Sequence, residues 1–152
     1  MKLFEYNHNN IRSNEIIKNS LSCLKNMPLK GIESRATPIR KYITSEMSSI
    51  GWSNRTIIHP ETQISITGIL NDTALCVQLG NVSRYYADLL KLQFLYQSKK
   101  CSQSIYILPT YSFAKLLGSN ISNFDRLTKE LKIFKKIITI PILVLGFEIE
   151  EK

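Results

Sequence analysis

The chain has 152 residues, 43% of them hydrophobic and 21% charged, with 20 Lys and Arg against 12 Asp and Glu, a formal charge of +8 and a pI near 9.5. This length buries a core without a disulfide or metal staple, and no apolar run approaches the roughly 18 residues of a membrane span. Cys23, Cys76 and Cys101 are an odd set without a C-x-x-C pair, which argues against a disulfide framework and a cysteine zinc site and for a reducing compartment. The excess of basic residues suits a polyanion, through phosphate contacts and counterion release.

Met1 to Asn10 contain an acid and lack an apolar centre, so they do not read as a secretory signal, and the expected location is the cytoplasm. Ser13 is placed to cap a first helix in which Ile17, Leu21 and Leu24 share a face and which Pro28 ends. Thr37-Pro38 reads as a cap followed by a proline at the first helical position. Ile39, Ile43, Met47 and Ile50 recur at helical spacing until Gly51 closes the second helix. Short strands are expected over 56–59 and 63–69, with Asn71-Asp72 as the turn into the next strand.

From Ala74 to Leu79 the residues alternate, Leu75, Val77 and Leu79 on a core face and Ala74, Cys76 and Gln78 on a face carrying a polar group. After Gly80-Asn81, the residues Tyr85, Leu89, Leu92 and Tyr96 form an apolar helical stripe, and Arg84, Asp88 and Lys91 a charged one that could be an intrahelical ion-pair face. An apolar run over 104–108 completes a strand, helix, strand unit, usually parallel. Ser122 and Asp125 have capping-box-like spacing before a helix whose stripe is Phe124, Leu127, Leu131 and Phe134, with Lys129, Lys132, Lys135 and Lys136 on the rest. The segment 137–147 reads as a last strand, which Pro141 assigns to a sheet edge or a bend. The sum is an α/β chain, a mixed sheet flanked by helices in one domain over 1–152: a helical N-terminal part to residue 50, then a core over 51–147.

The blocks Gln78-Leu79-Gly80-Asn81, Arg84-Tyr85-Tyr86 and Asp88 to Gln93 resemble the centre of the BglII/BstYI family of type II restriction endonucleases. Gly51-Trp52 lies upstream in the family's order. Ile107-Leu108-Pro109-Thr110, Leu117 to Phe124 and Ile140 to Gly146 follow downstream, so the resemblance covers about residues 51–147. It implies a restriction-endonuclease-like fold, double-stranded DNA as partner, a homodimer, and phosphodiester cleavage with Mg²⁺.

Holding a hard divalent ion takes carboxylates, and a third polar group helps to place water. The family's pattern has an aspartate on one strand and, on the next, a glutamate followed two residues later by a glutamine. The glutamine is matched by Gln78, whereas Cys76 stands in the glutamate position and the aspartate position falls near Thr67. A thiol is a soft ligand, mostly uncharged at neutral pH, so this departure removes charge from the site. Asp72 and Glu61 are the candidate replacement acids and metal ligands, and Glu5 is a third. Against this stand the stronger plain readings, Asp72 as a turn residue, Glu61 and Glu5 as solvated surface charges and Cys76 as a small buried hydrophobe. His8 and His59 share no motif with Cys76. Candidate DNA contacts are Asn81, Arg84, Lys91, Lys99 and Lys100. The rival reading is a catalytically degenerate family member that binds DNA or protein; a further one is an unrelated basic α/β interaction domain.

Overall fold

The structure is a computed structural model that describes residues 1–28 and 31–149. Five strands form one mixed sheet in the order β1-β7-β6-β5-β4. They are β1 (Lys2–His8), β7 (Ile142–Glu148), β6 (Gln103–Pro109), β5 (Thr73–Val77) and β4 (Gly68–Leu70). β5, β6 and β7 are parallel, while β1 and β4 run antiparallel to their neighbours at the two edges. A two-stranded ribbon of β2 (Thr56–Ile57) and β3 (Ser65–Ile66) stands beside the main sheet.

Both faces of the sheet are buried, as parallel strands require. One face, with Ala74, Cys76, Tyr106 and Val144, packs against helices α3 (Ser83–Gln97) and α5 (Phe124–Ile133). The other, with Leu75, Val77, Ile105, Ile107, Leu145 and Phe147, packs against α1 (Glu15–Lys25), α2 (Ala36–Ser49) and Phe113 of the short α4 (Tyr111–Leu117). The alternation along β5 is therefore real, but Ala74 and Cys76 face a second core layer, and the polar group appears only at Gln78, where the strand has ended.

The expected helices form, with their caps displaced. Asn14, one residue after Ser13, caps α1 by accepting the Ile17 amide at 2.9 Å, and Asn123 rather than Ser122 caps α5 through the Arg126 amide. Helix α2 begins ahead of Thr37-Pro38, so that pair lies within its first turn; Ile39, Ile43 and Met47 are its buried stripe, and Gly51 turns the chain at φ +109°. The strand expected over 63–69 divides at Thr67 into β3 and β4, which join different sheets.

Two expectations are corrected. The N-terminal segment is a strand, so the first fifty residues are not helical throughout, and β1 covers β7 completely, from Lys2 opposite Glu148 to His8 opposite Ile142. Pro141 therefore marks no edge, and of the two expected readings it is the bend that holds, at Ile140. The proline sits just before β7, where its missing amide costs no ladder bond and its carbonyl accepts the Ser104 amide. Helix α4 was not anticipated because its seven residues carry less than two turns of pattern.

The β1–β7 pairing places His8 in a buried site, its Nε2 2.6 Å from the Ile138 carbonyl. Burial holds the imidazole pKa below 6.5, with the Ile138 carbonyl opposing the shift and Lys135 adding to it. Below pH 6.5 the unfolded chain thus binds a proton that the folded chain refuses. This contribution to stability is complete above that pH and is lost as pH falls through the folded-state value. Thermal melts from about pH 8 to pH 5 are expected to show that loss, and His8→Gln should remove this component of the pH dependence.

Candidate functional site: a cationic cleft at the end of strand β5

The chain leaves β5 at Val77 and turns through Gln78, Leu79 and Gly80 into α3. This strand-end turn opens a cleft of about 550 Å³, lined by Arg40 and Thr44 of α2, Trp52 to Arg55, Ser65 to Thr67, Leu75, Val77, Gln78, and Arg84, Ala87, Asp88 and Lys91 of α3.

Gln78 is fixed at both ends of its amide. Its Oε1 accepts the Gly80 amide at 3.0 Å, and its Nε2 donates to Asp88 Oδ2 at 2.7 Å. The same Asp88 oxygen accepts the Tyr106 hydroxyl at 2.7 Å, while Lys91 Nζ stands 3.7 Å from Oδ1. Asp88 is only 8% exposed and Tyr106 fully buried, and burial together with the neighbouring carboxylate pushes the phenol far above its ordinary pKa, so it remains a donor. A side chain at Gly80 would press on Gln78 Oε1 at 2.9 Å and on Arg84 Cδ at 3.0 Å, so the bare turn lets Arg84 lie close to Gln78.

Of Thr67 and Cys76, where the sequence resemblance placed the acids, only Thr67 lines the cleft. It does so with Gln78, and its Oγ1 accepts the Val77 amide at 3.0 Å just ahead of the start of β4. Cys76 is 2% exposed on the α3 side of β5, in register with Tyr106. Burial, then the Asp88 charge, drive its thiol pKa well above 9.0, so it is a neutral core group and no thiolate ligand.

The replacement acids do not join them. Asp72 lies in the β4–β5 turn, at the far end of β5 from Gln78, where its carboxylate accepts the Ser102 hydroxyl at 2.5 Å and its carbonyl the Ser102 amide. Glu61 is exposed in the β2–β3 loop, and Glu5 pairs with Lys25 at 3.6 Å on the other side of the molecule. Neither Asp72 nor Glu61 lines the cleft, and among the described residues no group of three His, Cys, Asp or Glu could hold a metal ion. The one carboxylate present, Asp88, is already occupied by two donors and a cation. This donor set does not fit a resident hard divalent ion, which needs several free oxygens.

Of the candidate DNA contacts, Arg84 and Lys91 line the cleft, and Asn81 lies beside it, its Oδ1 accepting the amide and hydroxyl of Ser83. Lys99 and Lys100 are exposed beyond the other end of α3, about 20 Å along the helix from Arg84 at 1.5 Å per residue. Sequence reasoning missed Arg40, Arg55 and Tyr106, which reach the site from α2, a loop and β6. It also read Asp88 as part of a charged helical stripe that could be an ion-pair face. Half of that stripe exists, the Asp88–Lys91 pair; the burial of Asp88 beside Tyr106 depends on a strand distant in sequence.

The family model described as "Restriction endonuclease BglII/BglIII" matches residues 7–147. The fold is similar to that in "Crystal structure of restriction endonuclease BGLII complexed with DNA 16-mer", with a TM-score of 0.83 at 18% identity over all of this chain and 81% of that one. It is also similar to "Crystal structure of free BglII", with a TM-score of 0.73 at 17% identity over all of this chain and 82% of that one. No curated protein sequence matches the chain. No helix among the described residues is long and apolar enough to cross a membrane. With a family match over most of its length and the corresponding mixed sheet, the chain belongs to the BglII/BglIII restriction endonuclease family.

Proposed function

We propose that this protein binds double-stranded DNA as a symmetric homodimer, with the β5 cleft facing the phosphodiester backbone, and that metal-dependent cleavage is weak or absent in it. The observation carrying this reading is the charge of the cleft, which holds Arg40, Arg55, Arg84 and Lys91 against the single, internally bonded carboxylate of Asp88. Phosphate contacts from such groups supply most sequence-independent affinity for DNA. Family membership supports DNA as the polyanion, and the net charge of +8 agrees with it. The exposed apolar side chains Leu90, Phe94 and Ile64, which line a groove beside α3, support self-association.

The second reading retains hydrolysis with Mg²⁺. What favours it is Asp88 itself, a carboxylate in the cleft beside the matched glutamine. A mixed-sequence plasmid incubated with Mg²⁺ or Mn²⁺ separates the two. The protein is expected to retard the DNA without cutting it, whereas Thr67→Asp/Cys76→Glu is expected to gain metal-dependent cutting. Cutting at discrete sites by the unaltered chain, abolished by Gln78→Ala, would establish the hydrolytic reading instead. Light scattering on the same samples reports whether the particle has twice the chain mass.

A further inference from the structure

Three arginines converge on the cleft from separate elements: Arg40 from α2, Arg55 from the loop ahead of β2 and Arg84 from the first turn of α3. None pairs with a carboxylate among the described residues, whereas Lys91 is paired with Asp88. Two are tethered through Nε, Arg40 to the Val77 carbonyl at 3.3 Å and Arg55 to the Ser65 hydroxyl at 2.9 Å. A guanidinium anchored at Nε keeps its two terminal NH₂ groups for an anion and loses less freedom when it binds one. Thr67 and Cys76, meanwhile, are committed to the β4–β5 junction and to the core. The cleft thus has the wrong sign for a cation and the right one for a phosphate.

We infer that the cleft is a metal-independent phosphate site, in which Arg40, Arg55 and Arg84 hold a phosphodiester directly where a divalent ion would otherwise mediate the contact. The inference rests on the DNA-binding reading for its ligand, although the phosphate chemistry is the same for a free anion. No bond is made or broken. The site positions the backbone by charge-assisted hydrogen bonds, and these carry no sequence information.

The test is fluorescence anisotropy of a labelled mixed-sequence duplex, over a range of salt, in EDTA and in Mg²⁺. The unaltered protein is expected to bind equally in both. Arg40→Gln/Arg84→Gln should weaken binding at least tenfold and reduce the slope of log affinity against log salt by about two, one per lost phosphate contact. Lys99→Gln/Lys100→Gln removes the same charge outside the cleft and should have a clearly smaller effect. Binding that needs Mg²⁺, or an equal loss in the two double variants, overturns the inference and leaves DNA binding standing. A separate arm uses inorganic phosphate and the emission of Trp52, the single tryptophan and a cleft-lining residue. A phosphate response lost in Arg40→Gln/Arg84→Gln, without duplex binding, would retain the anion site and reject DNA as its ligand. No response to either ligand rejects both.

Discussion

Asp88→Ala is expected to lower the free energy of unfolding by about 3 kcal/mol, a large share of the ~5–15 kcal/mol typical of a folded domain. Asp88 Oδ2 is the acceptor for both Gln78 Nε2 and the Tyr106 hydroxyl, each at 2.7 Å, and it is buried among them. Alanine leaves the fully buried phenol without a partner, and an unsatisfied buried donor costs its full desolvation, ~1–3 kcal/mol. The contact to Lys91 at 3.7 Å, partly open to water, adds little. Tyr106→Phe alone should cost about 1 kcal/mol. In the Asp88→Ala/Tyr106→Phe double variant the losses should not add, because each single change removes the same bond. Urea denaturation measures all three. A loss below about 0.5 kcal/mol in Asp88→Ala would mean that water reaches Tyr106 and that the network does not organise the floor of the cleft.

Gly146→Ala is the second large effect, at about 2 kcal/mol, from overpacking. Gly146 lies in the middle of β7, paired on both sides, with Phe4 opposite in β1 and Leu108 in β6. A methyl group there would stand 2.6 Å from Phe124 Cγ and 2.8 Å from Phe124 Cβ. The second distance matters more, since Cβ moves only with the backbone, so relief requires α5 to lift from the sheet at its first turn. Phe124→Ala should cost stability alone by losing packing, yet restore part of what Gly146→Ala removes. A thermal melt of the pair decides this, and additive losses would mean that the clash is relieved elsewhere.

Residues with a local rule behind them were legible before the structure. The Asn71-Asp72 turn, the buried stripe of Ile39, Ile43 and Met47, the helix after Gly80 and the parallel partnership of Gln78's strand with the strand of Ile107 all follow from period, turn chemistry and crossover length. The caps slipped by one residue because Ser13-Asn14 and Ser122-Asn123 each offer two acceptors, and only the arriving chain direction selects which reaches the third amide. β1 escaped because Lys2 to His8 carry little apolar alternation; that strand is specified by the ladder β7 offers it.

The same division holds for the site. Sequence by itself determined that Gln78 stands at a strand end beside a helix start, that neither Thr67 nor Cys76 is a carboxylate, and that the chain is strongly basic. These are properties of residue identity and short-range order. Tertiary structure decided that Asp72 and Glu61 lie away from Gln78, that Asp88 turns inward to Tyr106, and that Arg40 and Arg55 complete the cleft with Arg84. The physical reason is that a charge acts over a few ångströms of space. Residues 40, 55, 84 and 106 become neighbours only when α2, the β2 loop, α3 and β6 pack around one end of β5.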